Sequence, residues 1–147
     1  MDTDVLVVGA GPVGLTMACE LARHGVRVRI VDSAPSPSDT SRAVAIHART
    51  LEMLFQMDLE EEFFAQGVVI RSLQFHTGLV ALGQFFFDEV DGPYRCVLDV
   101  PQNITDRLLS QKLAAFGIVV DRPVKLLQFA GGDSGVVADL QHSDGST

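Results

Sequence analysis

The segment Val5-Leu6-Val7-Val8-Gly9-Ala10-Gly11-Pro12-Val13-Gly14 constrains this chain more than any other. Four apolar residues run into a turn whose glycines have the G-x-G-x-x-G spacing. A helical pattern follows, with Leu15, Ala18, Cys19 and Ala22 at the i, i+3, i+4, i+7 positions of one buried face. Gly25 stands where a helix is expected to end. A second apolar run, Val26-Arg27-Val28-Arg29-Ile30-Val31, ends in Asp32. Strand, glycine turn, helix, strand and acid in about thirty residues form the pattern of a dinucleotide-binding βαβ unit.

Each glycine has a separate task. Gly9 allows the tight turn out of the first strand. Gly11, without a side chain, lets backbone N–H groups approach a pyrophosphate. Gly14 lets the helix pack against the strand. The free N–H groups of the helix start face the anion, and the helix dipole adds roughly 0.3–1 kcal/mol. Pro12 suits the first helical turn, where its missing N–H would have no partner. Asp32 is placed to accept hydrogen bonds from both hydroxyls of an adenosine ribose, and its charge would repel a 2′-phosphate, disfavouring NADP in this pocket. A glycine turn alone is weak evidence. The flanking strand, helix, cap and acid point to a bound dinucleotide, with a Rossmann-like unit that has lost its ligand as the alternative.

Composition narrows the partners. A chain of 147 residues suits one domain with its own core, and an apolar fraction of 47% is too high for disorder. The net charge of −8 and the absence of a Lys/Arg cluster argue against a nucleic-acid or anionic-membrane partner. The first residues are acidic and lack the basic start of a signal peptide, and no stretch reaches transmembrane length. Cys19 reads as a small core residue and Cys96 lies far away in sequence. Neither belongs to a C-x-x-C, so a disulfide framework and a zinc site are both poorly supported. His24, His47, His76 and His142 lack metal-ligand spacing and read as surface or loop residues. The expected compartment is a reducing cytoplasm.

Beyond Asp32, residues 33–41 form a turn-rich polar loop. A helix is expected from His47 to Met57, burying Leu51, Leu54 and Phe55, then a short acidic helix from Glu60 to Ala65 ending at Gly67. Val68–His76 and Leu79–Asp88 read as strands joined near Thr77-Gly78. They carry Phe85-Phe86-Phe87, either as ordinary core or as the face of a second layer. Val97–Val100 is a short strand. A helix from Pro101 to Phe116 puts Leu109, Leu113 and Phe116 on one face, with Gly117 as its cap. Ile118-Val119-Val120 reads as a short buried strand. Val124–Ala130 and Val136–His142 form a hairpin around residues 131–135. Ser143-Asp144-Gly145-Ser146 is a tight-turn signal that normally leads into another strand. It fits a piece of a longer protein better than a frayed natural terminus.

The glycine turn, Asp32, Ser41-Arg42-Ala43, Arg49-Thr50-Leu51-Glu52 and Val100-Pro101-Gln102, in this order, resemble the FAD-dependent aromatic hydroxylases. These are single-component flavoprotein monooxygenases of the p-hydroxybenzoate hydroxylase type, and the likeness is nearest to members acting on polyketide aromatics and phenols. The resemblance covers essentially the whole chain. It implies an α/β fold: a Rossmann-like FAD-binding βαβ unit with parallel strands plus an additional β-hairpin region, truncated at the C-terminal side. Residues 1–147 would be the N-terminal part of an FAD-binding domain, with the start of a substrate-side β region at about 68–100.

The resemblance also implies roles. Gly9, Gly11 and Gly14 would form the pyrophosphate turn, with Pro12 and Val13 lending backbone amides. Asp32 would hold the adenosine ribose, with Ser33 beside it. Arg42 would reach the FAD phosphates, for which a forked guanidinium is suited. Arg49 would stand near the cofactor and substrate side, or simply pair with Glu52 on its own helix. Gln102 would contact the ribityl and flavin side, or serve a capping box begun by Asp99. Val124 would offer backbone groups to the adenine. A later Asp-Gly segment and a Gly-Asp motif of the family are missing here. For the complete protein, the resemblance implies hydroxylation of a small aromatic substrate, with FAD reduced by NADPH (or NADH) and one oxygen atom taken from O2. The flavin carries that chemistry, so no catalytic residue is expected in this chain, and the chain alone is expected to be inactive. Two other readings remain: an NAD-dependent dehydrogenase, against which Arg42 and Gln102 tilt, and a non-catalytic nucleotide-binding module with the Phe85–Phe87 cluster as a partner surface.

Overall fold

The computed structural model describes residues 3–37, 45–133 and 135–146. In chain order its elements are β1 (Val5–Val8), α1 (Pro12–Arg23), β2 (Val28–Val31), β3 (Ala45–Ile46), α2 (Ala48–Gln56), α3 (Glu60–Gln66), β4 (Val68–Ile70), β5 (Ser72–Thr77), β6 (Val80–Phe86), β7 (Val97–Asp99), α4 (Gln102–Ala115), β8 (Val124–Gly132) and β9 (Gly135–His142). The chain forms two compact units, one of residues 1–39 with 109–147 and the other of residues 40–108.

In the first unit β1 and β2 pair in parallel, from Val5 opposite Val28 to Val8 opposite Val31. A parallel pair needs a crossover, and α1 supplies it. Its apolar stripe is buried at Leu15, Ala18 and Cys19, and Ile30 and Val31 of β2 are buried completely. Gly25 ends the helix, as the sequence indicates. It follows the cap residue His24 with φ +75°, its amide donates to Ala22 O (3.0 Å), and the Val26 amide donates to Leu21 O (3.0 Å). These two bonds satisfy carbonyls that would otherwise be orphaned. Gly117 closes α4 in the same way, with φ +77° and bonds from Gly117 N to Ala114 O and Ile118 N to Leu113 O. Cys19 is buried, and its thiol donates to Leu109 O at 3.4 Å. Burial pushes that thiol from 9.0 up to about 11.

Two expectations in this unit need correction. The segment 118–120 forms no strand, and Val119 is exposed. The Ile118 amide is committed to the α4 cap, so the chain reaches the edge of β2 only at Asp121, which makes a single parallel bridge to Val31. Phe116 is not on the buried face, because α4 ends at Ala115 and helical periodicity no longer sets its direction. Its ring lies under the Lys112 ammonium, 6.0 Å away. The expected hairpin is present as β8–β9, from Val124 opposite His142 to Gly132 opposite Gly135. The turn after it is present as well, with Gly145 at φ +81° and Gly145 N donating to His142 O.

The second unit has an antiparallel sheet in the order β3-β7-β4 and a separate hairpin, β5–β6. The strand expected over 68–76 is therefore two strands, which break at Arg71 and pair with different partners. In α2, Leu51 and Leu54 are buried, but Phe55 is 60% exposed, and Met57, which caps the helix, is buried in its place. The buried arc of the helix centres on Leu54 and turns toward Met57, which leaves Phe55 at its edge. Phe63 of α3 is fully buried, and three glutamates in the first turn of that helix suit its dipole. Gly67 ends α3 where a Cβ would lie 2.7–2.8 Å from the Val100 and Leu98 side chains. Phe85 packs edge-to-face on Phe87 at 5.1 Å, while Phe85 and Phe86 remain exposed on the hairpin.

Candidate cofactor site

The first unit gathers most of the residues singled out in the sequence. The turn begins at Gly9, whose amide donates to Val31 O (2.8 Å) and whose φ of +96° suits only glycine comfortably. Gly11 is the N-cap of α1, and no side chain caps that helix. A Cβ built on Gly11 would meet nothing within 4 Å. Pro12 occupies the first helical turn, and Val13 is 83% exposed. Helix geometry leaves the amides of this first turn without intrahelical acceptors. Gly14 faces inward instead. A Cβ there would lie 1.9 Å from Gly9 O and 3.4 Å from the Val7 side chain, so the helix can close on the strand only without one.

Asp32 follows β2 directly. Its Oδ2 accepts from the Ala10 amide at 2.6 Å and its Oδ1 from the Ala34 amide at 2.7 Å. A third partner, Arg122, places Nη1 3.1 Å from Oδ1. An ionised carboxylate has about four acceptor positions, so these three donors leave about one, on Oδ2. The two ribose hydroxyls expected on this carboxylate would meet three protein donors already in place. The adjacent guanidinium also offsets the charge on which exclusion of a 2′-phosphate was argued.

Arg122 was missed in the sequence because its place depends on distant pairing. Residues 121–124 run along the edge of β2 through bonds from Asp121 N to Ile30 O, Asp32 N to Asp121 O and Val124 N to Asp32 O. A basic residue following the α4 cap was the available signal, read with the rule that the strand after a crossover helix lies beside the preceding one. The Val124 amide is thus taken by Asp32 O at 2.8 Å and is not available to a base. Ser33 is exposed beside Asp32. It helps line a concavity of about 220 Å³ together with Pro123, Lys125, Gln141, His142 and Ser143.

Arg49 and Gln102 belong to the second unit. Arg49 is exposed in the first turn of α2 and pairs with Glu52. Gln102 begins α4 and donates from Nε2 to Asp106 Oδ2 at 3.5 Å. Arg42 lies outside the described residues. Cys19 and Cys96 are buried free thiols, and the four histidines are exposed. Among the described residues no group of three or more His, Cys, Asp or Glu could hold a metal ion, and no helix is long and apolar enough to cross a membrane.

A parallel β1-α1-β2 unit, a glycine turn opening on an uncapped helix start and an acid at the end of β2 define a dinucleotide-binding domain. The space at Gly11, into which a Cβ would project unopposed, fits a pyrophosphate there. Comparison with known proteins identifies the dinucleotide. The family described as "FAD binding domain" matches residues 2–147. The chain is 36% identical over 137 residues to rifampicin monooxygenase from Streptomyces venezuelae, covering 93% of this chain and 28% of that protein. It is 38% identical over 139 residues to 6-methylpretetramide 4-monooxygenase from Streptomyces rimosus, covering 93% of this chain and 25% of that protein. The structure of the anhydrotetracycline hydroxylase OxyS from Streptomyces rimosus matches with a TM-score of 0.87 at 32% identity, over 99% of this chain and 29% of that one. This chain belongs to the FAD-binding domain family, and its cofactor is FAD. It spans about a quarter of the length of these relatives.

Proposed function

We propose that this chain supplies the ADP-binding part of an FAD-dependent monooxygenase that hydroxylates an aromatic phenol or polyketide with NAD(P)H and O2. The observation that carries the reading is the asymmetry of the glycine turn: Gly14 is closed against Gly9 O, while Gly11 opens on free space beside an uncapped helix start. The first-turn amides of α1 would take the pyrophosphate, and Asp32 would take a ribose hydroxyl through Oδ2. Ser33 would flank the adenosine, and Val124 would offer the adenine its carbonyl alone. Arg42 would add a guanidinium at the phosphates. Arg49 and Gln102 would serve the flavin side. FAD, when bound, supplies the redox chemistry that passes electrons from a nicotinamide to dioxygen. The residues of this chain bind and orient it. In domain terms, residues 1–147 would be the N-terminal part of the FAD-binding domain, with 68–100 opening the substrate-side β region. The net charge of −8 supports a small-molecule partner rather than a nucleic acid, and two buried free thiols support a reducing cytoplasm.

Gly11→Val in the full-length protein tests this reading. A Cβ at this position meets no protein atom within 4 Å, so the melting temperature should hold within a few degrees while FAD affinity falls by at least about tenfold, the effect of a side chain standing where the pyrophosphate belongs. Unchanged FAD affinity, measured by flavin fluorescence quenching, would place the cofactor elsewhere.

A further inference from the structure

Arg122 fastens three separate stretches of chain. Besides its ion pair with Asp32, Nη1 lies 3.3 Å from Ala34 O and 3.4 Å from Ser36 O, and Nη2 lies 3.3 Å from Ala10 O. The glycine turn, the loop after β2 and the 121–124 segment thus meet at one guanidinium. Its side chain is only 14% exposed and that of Asp32 17%, so the pair is shielded from the screening that weakens surface ion pairs. The neighbouring Asp121 carboxylate accepts from Arg29 Nε at 2.7 Å, and among the described residues Arg122 is the cation on Asp32.

The placement has a directional consequence. Arg122 and the Ala34 amide both hold Oδ1, whereas among the described residues Oδ2 has only the Ala10 amide. The carboxylate is therefore clamped on one oxygen, and its remaining acceptor position lies on the other. A planar fork of five donors reaches a carboxylate and backbone carbonyls over a wider, fixed span than the three clustered donors of a lysine ammonium.

We propose that Arg122 is the positioning residue of the adenosine end, clamping Asp32 by Oδ1 so that Oδ2 is presented to a ribose hydroxyl. This rests on the FAD reading above, in which Asp32 contacts the ribose. Arg122 acts through Asp32, so the two residues must behave as one unit in cofactor binding.

The experiment is a double-mutant cycle on FAD affinity in the full-length protein, using Asp32→Asn, Arg122→Met and the pair, with flavin fluorescence as the readout and circular dichroism as a check of folding. Arg122→Met should weaken FAD by about tenfold, and the double variant should bind like Asp32→Asn alone, since coupled residues give non-additive losses. A merely structural role would give losses that add, and that result overturns the proposal. So does an Arg122→Met that binds FAD normally while Asp32→Asn does not. If Asp32→Asn itself binds FAD like the parent, it is the assignment of Asp32 to the ribose that fails. Should Arg122→Met not fold, Arg122→Lys takes its place in the cycle: it keeps the charge but loses the fork, and weakened binding that disappears in the Asp32→Asn background supports the proposal, while additive or absent weakening overturns it.

Discussion

At the scale of single residues, three glycines within one short turn serve three different physical ends. Gly9 is needed for its backbone angle, Gly14 for contact with its own chain, and Gly11 for the space outside it. Stability measurements separate the first two. Gly9→Ala introduces strain at φ +96° but no clash, so it should cost about 1–2 kcal/mol. Gly14→Ala drives a methyl to 1.9 Å from a backbone oxygen that cannot move without opening the turn, and should cost more, about 3 kcal/mol or above. Denaturant unfolding of the two variants checks the order; equal losses would mean that α1 and β1 can separate cheaply. The turn at Gly9 and the close packing at Gly14 were legible from spacing alone, because a tight turn and its helix are made by neighbours in sequence. Asp32 was legible only in part. Its position after β2 followed from the pattern, but two of its three partners, Ala34 and Ala10, are backbone amides, and the third comes from ninety residues away.

At the scale of elements, α1 and α4 end by the same glycine device, and they meet where the Cys19 thiol donates to Leu109 O. That burial has a pH signature. Raising the thiol from 9.0 to about 11 means that the folded state favours the neutral form. Its contribution to stability is therefore complete below pH 9 and is lost as pH climbs from 9 through about 11. Urea midpoints should fall across that window, and less steeply in Cys19→Ala, which has no thiol to ionise. At pH 8 the folded protein should also leave Cys19 unalkylated by iodoacetamide, as peptide mapping would show. Where elements were misjudged, the cause was competition for backbone groups or for a helix face. The α4 cap claimed the Ile118 amide and removed the 118–120 strand, and α2 turned Met57 inward in preference to Phe55.

At the scale of the molecule, both long hairpins carry exposed apolar residues. Phe75, Val80 and Leu82 lie on β5–β6, and Phe129, Val136 and Val137 lie on β8–β9. Exposed apolar surface of this kind on a hairpin is usually covered by another layer. The relatives are three to four times as long as the matched segment, by the shares of them that this chain covers. Expressed alone, residues 1–147 should bind the hydrophobic dye anilinonaphthalene sulfonate and should not oxidise NADPH when FAD is added. NADPH oxidation by this polypeptide would show that no further segment is needed for turnover.

By itself, the sequence determined the dinucleotide unit: an apolar strand, a turn that only glycine can make, a helix with one buried stripe and its cap, and an acid at the end of the next strand. All of these are set by contacts within a few residues, where periodicity and backbone sterics decide. The tertiary structure alone decided what surrounds Asp32. Parallel pairing brings residues 121–124 to the edge of β2, carries Arg122 to the carboxylate and takes the Val124 amide for Asp32 O. No local pattern encodes that meeting, because it depends on where a whole helix and the turn after it deliver the chain.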